Sequence, residues 1–172
     1  MKEEITMNNL IEFIEAKEKD LNILLDIYNY YIENTTATFD LDKITLEEFK
    51  NRVFINNSRY KTFLVYMSNE LVGFCFLTQF RKKAAYDKTV ELGLYLKPQF
   101  TGKGLGVKIV NYLEKIAKEN QFEMLVASIS GENIPSIKLF RKLGYVQCAH
   151  YKGIAVKFER KMDLIDFQKA IV

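Results

Sequence analysis

The chain has 172 residues, 48% of them hydrophobic, with 25 basic against 22 acidic side chains and a net charge of +3. That length carries one domain with its own core and is short for two, and the basic residues are too dispersed to make a nucleic-acid tract. The two cysteines, Cys75 and Cys148, lie far apart in strand-like runs without C-x-x-C spacing, which suits buried free thiols in a reducing compartment.

The opening MKEEITMNN leads into no continuous apolar run, and no stretch approaches the roughly 20 apolar residues of a membrane span, so a cytoplasmic protein without membrane contact is expected. Ile11–Ala16 alternates and predicts a first strand; Leu21, Leu24, Ile27, Tyr28 and Tyr31 then recur at helical spacing from about Lys19 to Glu33. NTTATFD (34–40) breaks that helix, and Thr45 with Glu48 three places on caps a second. Tyr60–Met67 and Leu71–Gln79 read as a hairpin, joined by a basic loop (80–88) to a fourth strand, Thr89–Leu96. A glycine turn leads into a long helix reaching about Glu119. Met124–Ile129 is a short apolar run that suits a central strand, and Ile134–Leu143 is a short helix stopped by Gly144. Tyr145–Lys152 and Ala155–Met162 predict a closing hairpin around Gly153. The expectation is an α/β single domain spanning 1–172, ordered βααβββαβαββ, with helices on both faces of a mixed sheet and tails at 1–9 and 165–172.

The chemistry concentrates in Val90–Gly106, VELGLYLKPQFTGKGLG. Gly102, Gly104 and Gly106 let the backbone bend tightly with no Cβ in the way, so that successive N–H groups and the following helix N-terminus face one anion. The cradle comprises Thr101, Gly102, Lys103, Gly104, Leu105 and Gly106, and it fits neither a Walker loop nor a dinucleotide fingerprint. Glu91 places a carboxylate in an otherwise apolar strand. This is unfavourable unless the residue faces a polar cleft, where burial raises its pKa into the range of a general base; the alternative is an ordinary solvent-facing position. Gly93, mid-strand, marks a β-bulge or a close approach of another backbone, which would free an N–H near Leu94 to polarise a carbonyl oxygen. The loop bearing Arg81, Lys82, Lys83 and Lys88 is either solvated or an anion site. His150 is the single histidine and no metal-ligand cluster accompanies it.

Gln99-x-x-Gly102-x-Gly104 resembles the pyrophosphate loop of the GNAT N-acetyltransferases, which bind acetyl-coenzyme A. Asn133-x-x-Ser136, followed by Leu139 and Leu143-Gly144-Tyr145, is similar to the family's second block, in which the asparagine side chain meets the pantetheine arm. Ile27–Asp40, the frame of Phe80, Arg81, Ala85 and Tyr86, Thr89–Glu91, and Lys157–Arg160 ahead of Asp163 look like the phosphinothricin and methionine sulfoximine acetyltransferase branch. The resemblance covers nearly the whole chain and implies a GNAT-like, mainly antiparallel sheet. It also implies acetyl-CoA as cosubstrate without a metal, coenzyme contacts from Leu94, Tyr95 and Leu96, and a homodimer. The acceptor would be a small amino-acid-like amine held by Arg81, Lys83 and Tyr86 beside Phe39. An α-amine is half protonated at about pH 7.7 to 8.0, so a base is needed, and the resemblance puts it at Glu91 for direct attack without a covalent enzyme intermediate. Lys83 stands where the branch often has a second arginine, Lys161 where it usually has tryptophan, and Phe140 where many acetyltransferases carry a tyrosine acid. Arg and Lys grip a planar anion differently, so acceptor identity does not transfer with the branch. The alternatives are a non-catalytic acyl-CoA-binding or protein-interaction domain, or an acetyltransferase of protein N-termini or polyamines.

Overall fold

The computed structural model describes residues 10–171. Its strands are β1 (Ile11–Glu15), β2 (Lys61–Met67), β3 (Glu70–Gln79), β4 (Thr89–Leu96), β5 (Met124–Ser130), β6 (Val146–Lys157) and β7 (Arg160–Ala170). They form one seven-stranded sheet in the order β1-β2-β3-β4-β5-β7-β6. The β4–β5 pair is parallel and the other neighbouring pairs are antiparallel. The parallel pair arises because β4 reaches β5 through a crossover helix rather than a tight turn.

The helices are α1 (Leu21–Asn34), α2 (Leu46–Lys50), α3 (Leu105–Glu119) and α4 (Ile134–Lys142). In α2 the capping box forms as the sequence predicts: Glu48 N donates to Thr45 Oγ1 at 3.3 Å and Thr45 N to Glu48 Oε2 at 2.7 Å. Leu24 and Ile32 of α1 and Phe49 of α2 bury against Leu64 and Phe74 on one face of the sheet. Ile109, Val110 and Leu113 of α3 and Phe140 of α4 bury against Val90, Leu125 and Phe167 on the other. Each such side chain contributes about 1.5 to 3 kcal/mol through its burial. The order βααβββαβαββ and the helices on both faces match the sequence reading.

Four expectations are corrected. The closing hairpin turns at Phe158 and Glu159, which both sit in the left-handed region (φ 50° and 58°), and not at Gly153. Gly153 instead lies within the register shift between Tyr151 and Ala155. The shifted turn carries β7 through to Ala170, so most of the expected tail from 165 is a strand with Phe167 wholly buried. The tail at 1–9 lies outside the described residues. Gly93 makes no bulge, because the β3–β4 register is continuous; a Cβ there would fall 2.3 Å from the Phe76 ring, so the close neighbour is a side chain. Finally, Cys75 is buried, but Cys148 is exposed.

Candidate active site

The β4–β5 pairing runs through Thr89↔Met124, Val90↔Leu125 and Glu91↔Val126, and there it ends. Both strands continue, β4 paired to β3 as far as Leu96 and β5 paired to β7 as far as Ser130. Between them opens a cleft of about 560 Å³, walled by Leu94, Tyr95 and Leu96 on one side and Ala127, Ser128 and Ile129 on the other. Backbone groups on the parted edge need new partners. Tyr31 of α1 supplies one, its hydroxyl donating to Leu96 O at 2.5 Å.

The N-termini of α3 and α4 close one end of the cleft through Gly102, Gly104, Gly106, Asn133 and Ser136. Gly102 and Gly104 have φ of +72° and +76°, and a Cβ at either would meet no protein atom within 4 Å. Nothing in the packing therefore demands glycine there; what glycine provides is left-handed backbone and an open surface that a large anion can approach. The first turn of α3 holds no acidic residue, so its free N–H groups keep their attraction for negative charge. These features fit the pyrophosphate of acetyl-CoA. Gly106 differs, because a Cβ there would lie 2.7 Å from Leu139 Cδ2, so it also lets α3 and α4 approach. Leu105 is buried and Lys103 sits 5.1 Å from the Phe100 ring; neither borders the cleft. Asn133 Oδ1 accepts from Ser136 N at 3.2 Å as a helix cap, so its side-chain NH₂ is the group left for an amide-bearing arm.

Glu91 stands at the point of parting and is half-buried. Burial pushes its carboxyl above the ordinary range; the Ser128 hydroxyl pulls it back, the Asp166 carboxylate raises it and the Arg81 guanidinium lowers it. Arg81 lies in the β3–β4 loop with its guanidinium 5.0 Å from the Phe80 ring and 5.8 Å from the Tyr86 ring. Lys83 is exposed just ahead of the 3₁₀ turn Ala84–Tyr86, and Phe39 is half-buried outside the cleft wall. Thus the structure brings most of the coenzyme-type residues together along the cleft and sets Arg81 within electrostatic reach of Glu91, while Glu91, Arg81, Tyr86, Lys83 and Phe39 are not among the residues that line it. Phe140 lines the cleft with a ring that can donate no proton and packs on Tyr145 at 4.9 Å.

Sequence reasoning missed Thr35, Thr36 and Ala37, which border the cleft, and Ser128, whose polar side chain in an otherwise apolar strand was the available signal. It also missed two tethers. Lys157, 2% exposed, donates from Nζ to Thr38 O at 2.8 Å, and Arg160 pairs bidentately with Glu132 at 2.7 and 3.1 Å. The turn end of the β6–β7 hairpin therefore holds both segments that flank the cleft mouth.

Residues 14–165 match the acetyltransferase (GNAT) domain family. The chain belongs to the GNAT acetyltransferases. Among relatives, the phosphinothricin N-acetyltransferase of Streptomyces coelicolor is 27% identical over 90% of this chain and 92% of its own length. The L-methionine sulfoximine/L-methionine sulfone acetyltransferase of Pseudomonas aeruginosa is 29% identical over 90% and 91%. The crystal structure of a GNAT superfamily phosphinothricin acetyltransferase from Sinorhizobium meliloti in complex with AcCoA superposes with a TM-score of 0.85 at 25% identity, covering 93% of this chain and 88% of that one. As a GNAT acetyltransferase the chain uses acetyl-CoA, and the cleft between β4 and β5 has the features to take it. Among the described residues no metal-binding group is present and no helix is long and apolar enough to cross a membrane.

Proposed function

We propose that this chain is a single-domain, cytoplasmic enzyme that moves the acetyl group of acetyl-CoA to the amino group of a small amino-acid-like acceptor of the phosphinothricin or methionine sulfone/sulfoximine type. The observation that carries the reading is Glu91: a half-buried carboxylate with a raised pKa, at the residue where β4 leaves β5. Bound acetyl-CoA supplies an activated thioester. Thr101–Gly106 and the first turn of α3 hold its pyrophosphate; the Asn133 amide and Ser136 steady the pantetheine arm; the backbone of Leu94–Leu96, without a strand partner on its cleft edge, offers hydrogen bonds to the acyl end. Arg81, with Tyr86 beside it, takes the acceptor's carboxylate or equivalent anion, and Lys83 and Phe39 belong to the outer part of that pocket. Glu91 accepts the proton that the acceptor's ammonium must lose before its nitrogen can attack.

Two features support the choice of acceptor class. The relatives named above are described as acting on such compounds, and the basic loop at Arg81, Lys82 and Lys83 favours an anionic group over a polycation. Free Cys75 and Cys148 support a reducing compartment. A second copy of the chain is read as covering the outer strand β6 and its turn, where Ile154 and Val156 are 57% and 60% exposed at alternate strand positions and Phe158 of the turn is 48% exposed. The test is acceptor-dependent release of the coenzyme thiol across methionine sulfone, methionine sulfoximine, phosphinothricin, free amino acids, polyamines and short peptides. The reading expects saturable turnover with a member of the first four classes; turnover confined to polyamines or peptides overturns the acceptor assignment.

A further inference from the structure

Glu91, Ser128 and Asp166 lie on three neighbouring strands, with Ser128 and Asp166 two residues beyond the level of Glu91. The register sets Glu91 opposite Val126 and Ser128 opposite Asp166, and residues two apart on a strand share a face, so the three side chains lie on one face of the sheet. Thr78, opposite Glu91, shares that face with Phe74 and Phe76, which pack toward α1 and α2. Ser128 is exposed to the cleft. Among the described residues Asp166 Oδ1 is buried and has no hydrogen-bond partner; the hydroxyl of Ser130, next along the same face of β5 and 4% exposed, has none either. A buried carboxylate oxygen without a donor works against folding, so a donor supplied from outside the described residues would offset that cost.

We propose that Asp166 is a second carboxylate of the acceptor site, which with Glu91 and the Ser128 hydroxyl holds the acceptor's ammonium group beside the cleft, where Ser128 lines it. The inference rests on the acetyl-transfer reading above and narrows its substrate class. A primary ammonium has three N–H donors, which matches three oxygens contributed by β4, β5 and β7. Binding is followed by one proton transfer: an N–H bond of the ammonium breaks, an O–H bond forms on Glu91, and a neutral amine faces a neutral carboxyl. Asp166 keeps a remaining N–H and so orients the lone pair. With Arg81 within electrostatic reach of Glu91, the site takes a zwitterion carrying a primary amine. It selects against amines lacking an anionic group, and against secondary amines, which have lost one donor.

The charged and titratable groups around this patch assign its pH behaviour. Glu91 faces Asp166 from β7 and Arg81 from the β3–β4 loop, with the Ser128 hydroxyl from β5; Asp166 is met from β6 by Cys148, whose Sγ donates to its main-chain oxygen at 3.3 Å. Removing the Asp166 charge takes away an influence that raises the Glu91 pKa, so Glu91 should titrate at lower pH in its absence.

The experiment compares wild type, Asp166→Asn and Glu91→Gln by acceptor KM, acetyl-CoA KM, the acid limb of the kcat/KM profile and thermal melting. Asp166→Asn should raise acceptor KM at least about tenfold, leave acetyl-CoA KM alone, shift the acid limb to lower pH, and melt at the wild-type temperature or above it. Asp166→Ser serves the same comparison should the amide fold poorly. An unchanged acceptor KM with an unmoved acid limb overturns the assignment. So does a lower melting temperature with both KM values raised together, which marks a structural residue. Wild-type turnover by Glu91→Gln removes the base reading instead, and Asp166 is then judged on the acceptor KM of Asp166→Asn alone.

Discussion

Burial acts on Glu91 in two ways, and both are measurable. Because its pKa is raised above the unfolded value of 4.5, the native state binds this proton more tightly than the unfolded chain does. Stability from this group is therefore greatest below about pH 4.5 and declines as pH rises through the native pKa. Glu91→Gln removes that penalty, so at neutral pH it should melt no lower than wild type, with a flatter pH dependence; a clear loss of stability would mean that the carboxylate has a structural role. Arg81 belongs to the same scale. Its neutral replacement, Arg81→Ala, should raise acceptor KM by about tenfold or more and leave acetyl-CoA affinity unchanged, as steady-state kinetics and calorimetry would read separately. The composition of β4 made Glu91 visible from sequence, since one carboxylate among Val90, Leu92 and Leu94 demands a reason. Ser128 left a signal as a polar side chain in an apolar strand, but Asp166 was not visible, because its meaning depends on which strands become neighbours, and β7 sits beside β5 with β6 beyond it.

At the level of elements, the glycine loop and the two tethers make separate claims. Gly104 has a left-handed backbone and open space above it, so Gly104→Val adds strain of about 1 to 2 kcal/mol and also places a branched side chain on the anion surface. Acetyl-CoA binding should weaken at least about tenfold, close to 1.4 kcal/mol, and unchanged calorimetric affinity in the folded variant would remove the loop from the coenzyme site. Lys157 holds Thr38 from across the molecule, and burial lowers its pKa below the ordinary 10.5. The native state then sheds this proton before the unfolded chain does, so the lysine's contribution to stability grows as pH rises from the lowered value toward 10.5. The melting temperature of wild type minus that of Lys157→Met should widen over that window; a constant difference would contradict the burial argument. The strand–glycine–helix order was legible because local spacing determines it. The C-terminal hairpin was not: Phe158 and Glu159 take the left-handed turn without a glycine to announce it, and Gly153 offered a false marker five residues earlier.

For the molecule as a whole, the parting of β4 from β5 is the central fact, because it converts a continuous sheet into two walls with helix N-termini at one end and Glu91 at the vertex. The outer strand β6 bears on assembly. If a second copy covers Ile154, Val156 and Phe158, Val156→Glu should shift the protein toward monomer in sedimentation without loss of secondary structure. A monomeric wild type would remove that proposal while leaving the cleft intact. The most direct test of the account is the rate of acetyl transfer to a saturating amino-acid acceptor by wild type and Glu91→Gln as pH is raised. The account predicts a kcat reduced on the order of 10²-fold in the variant near neutrality, intact acetyl-CoA affinity, and a residual rate that climbs about tenfold per pH unit below the amine pKa, since only amine already deprotonated in solution can react. A wild-type kcat and pH profile in Glu91→Gln would contradict it.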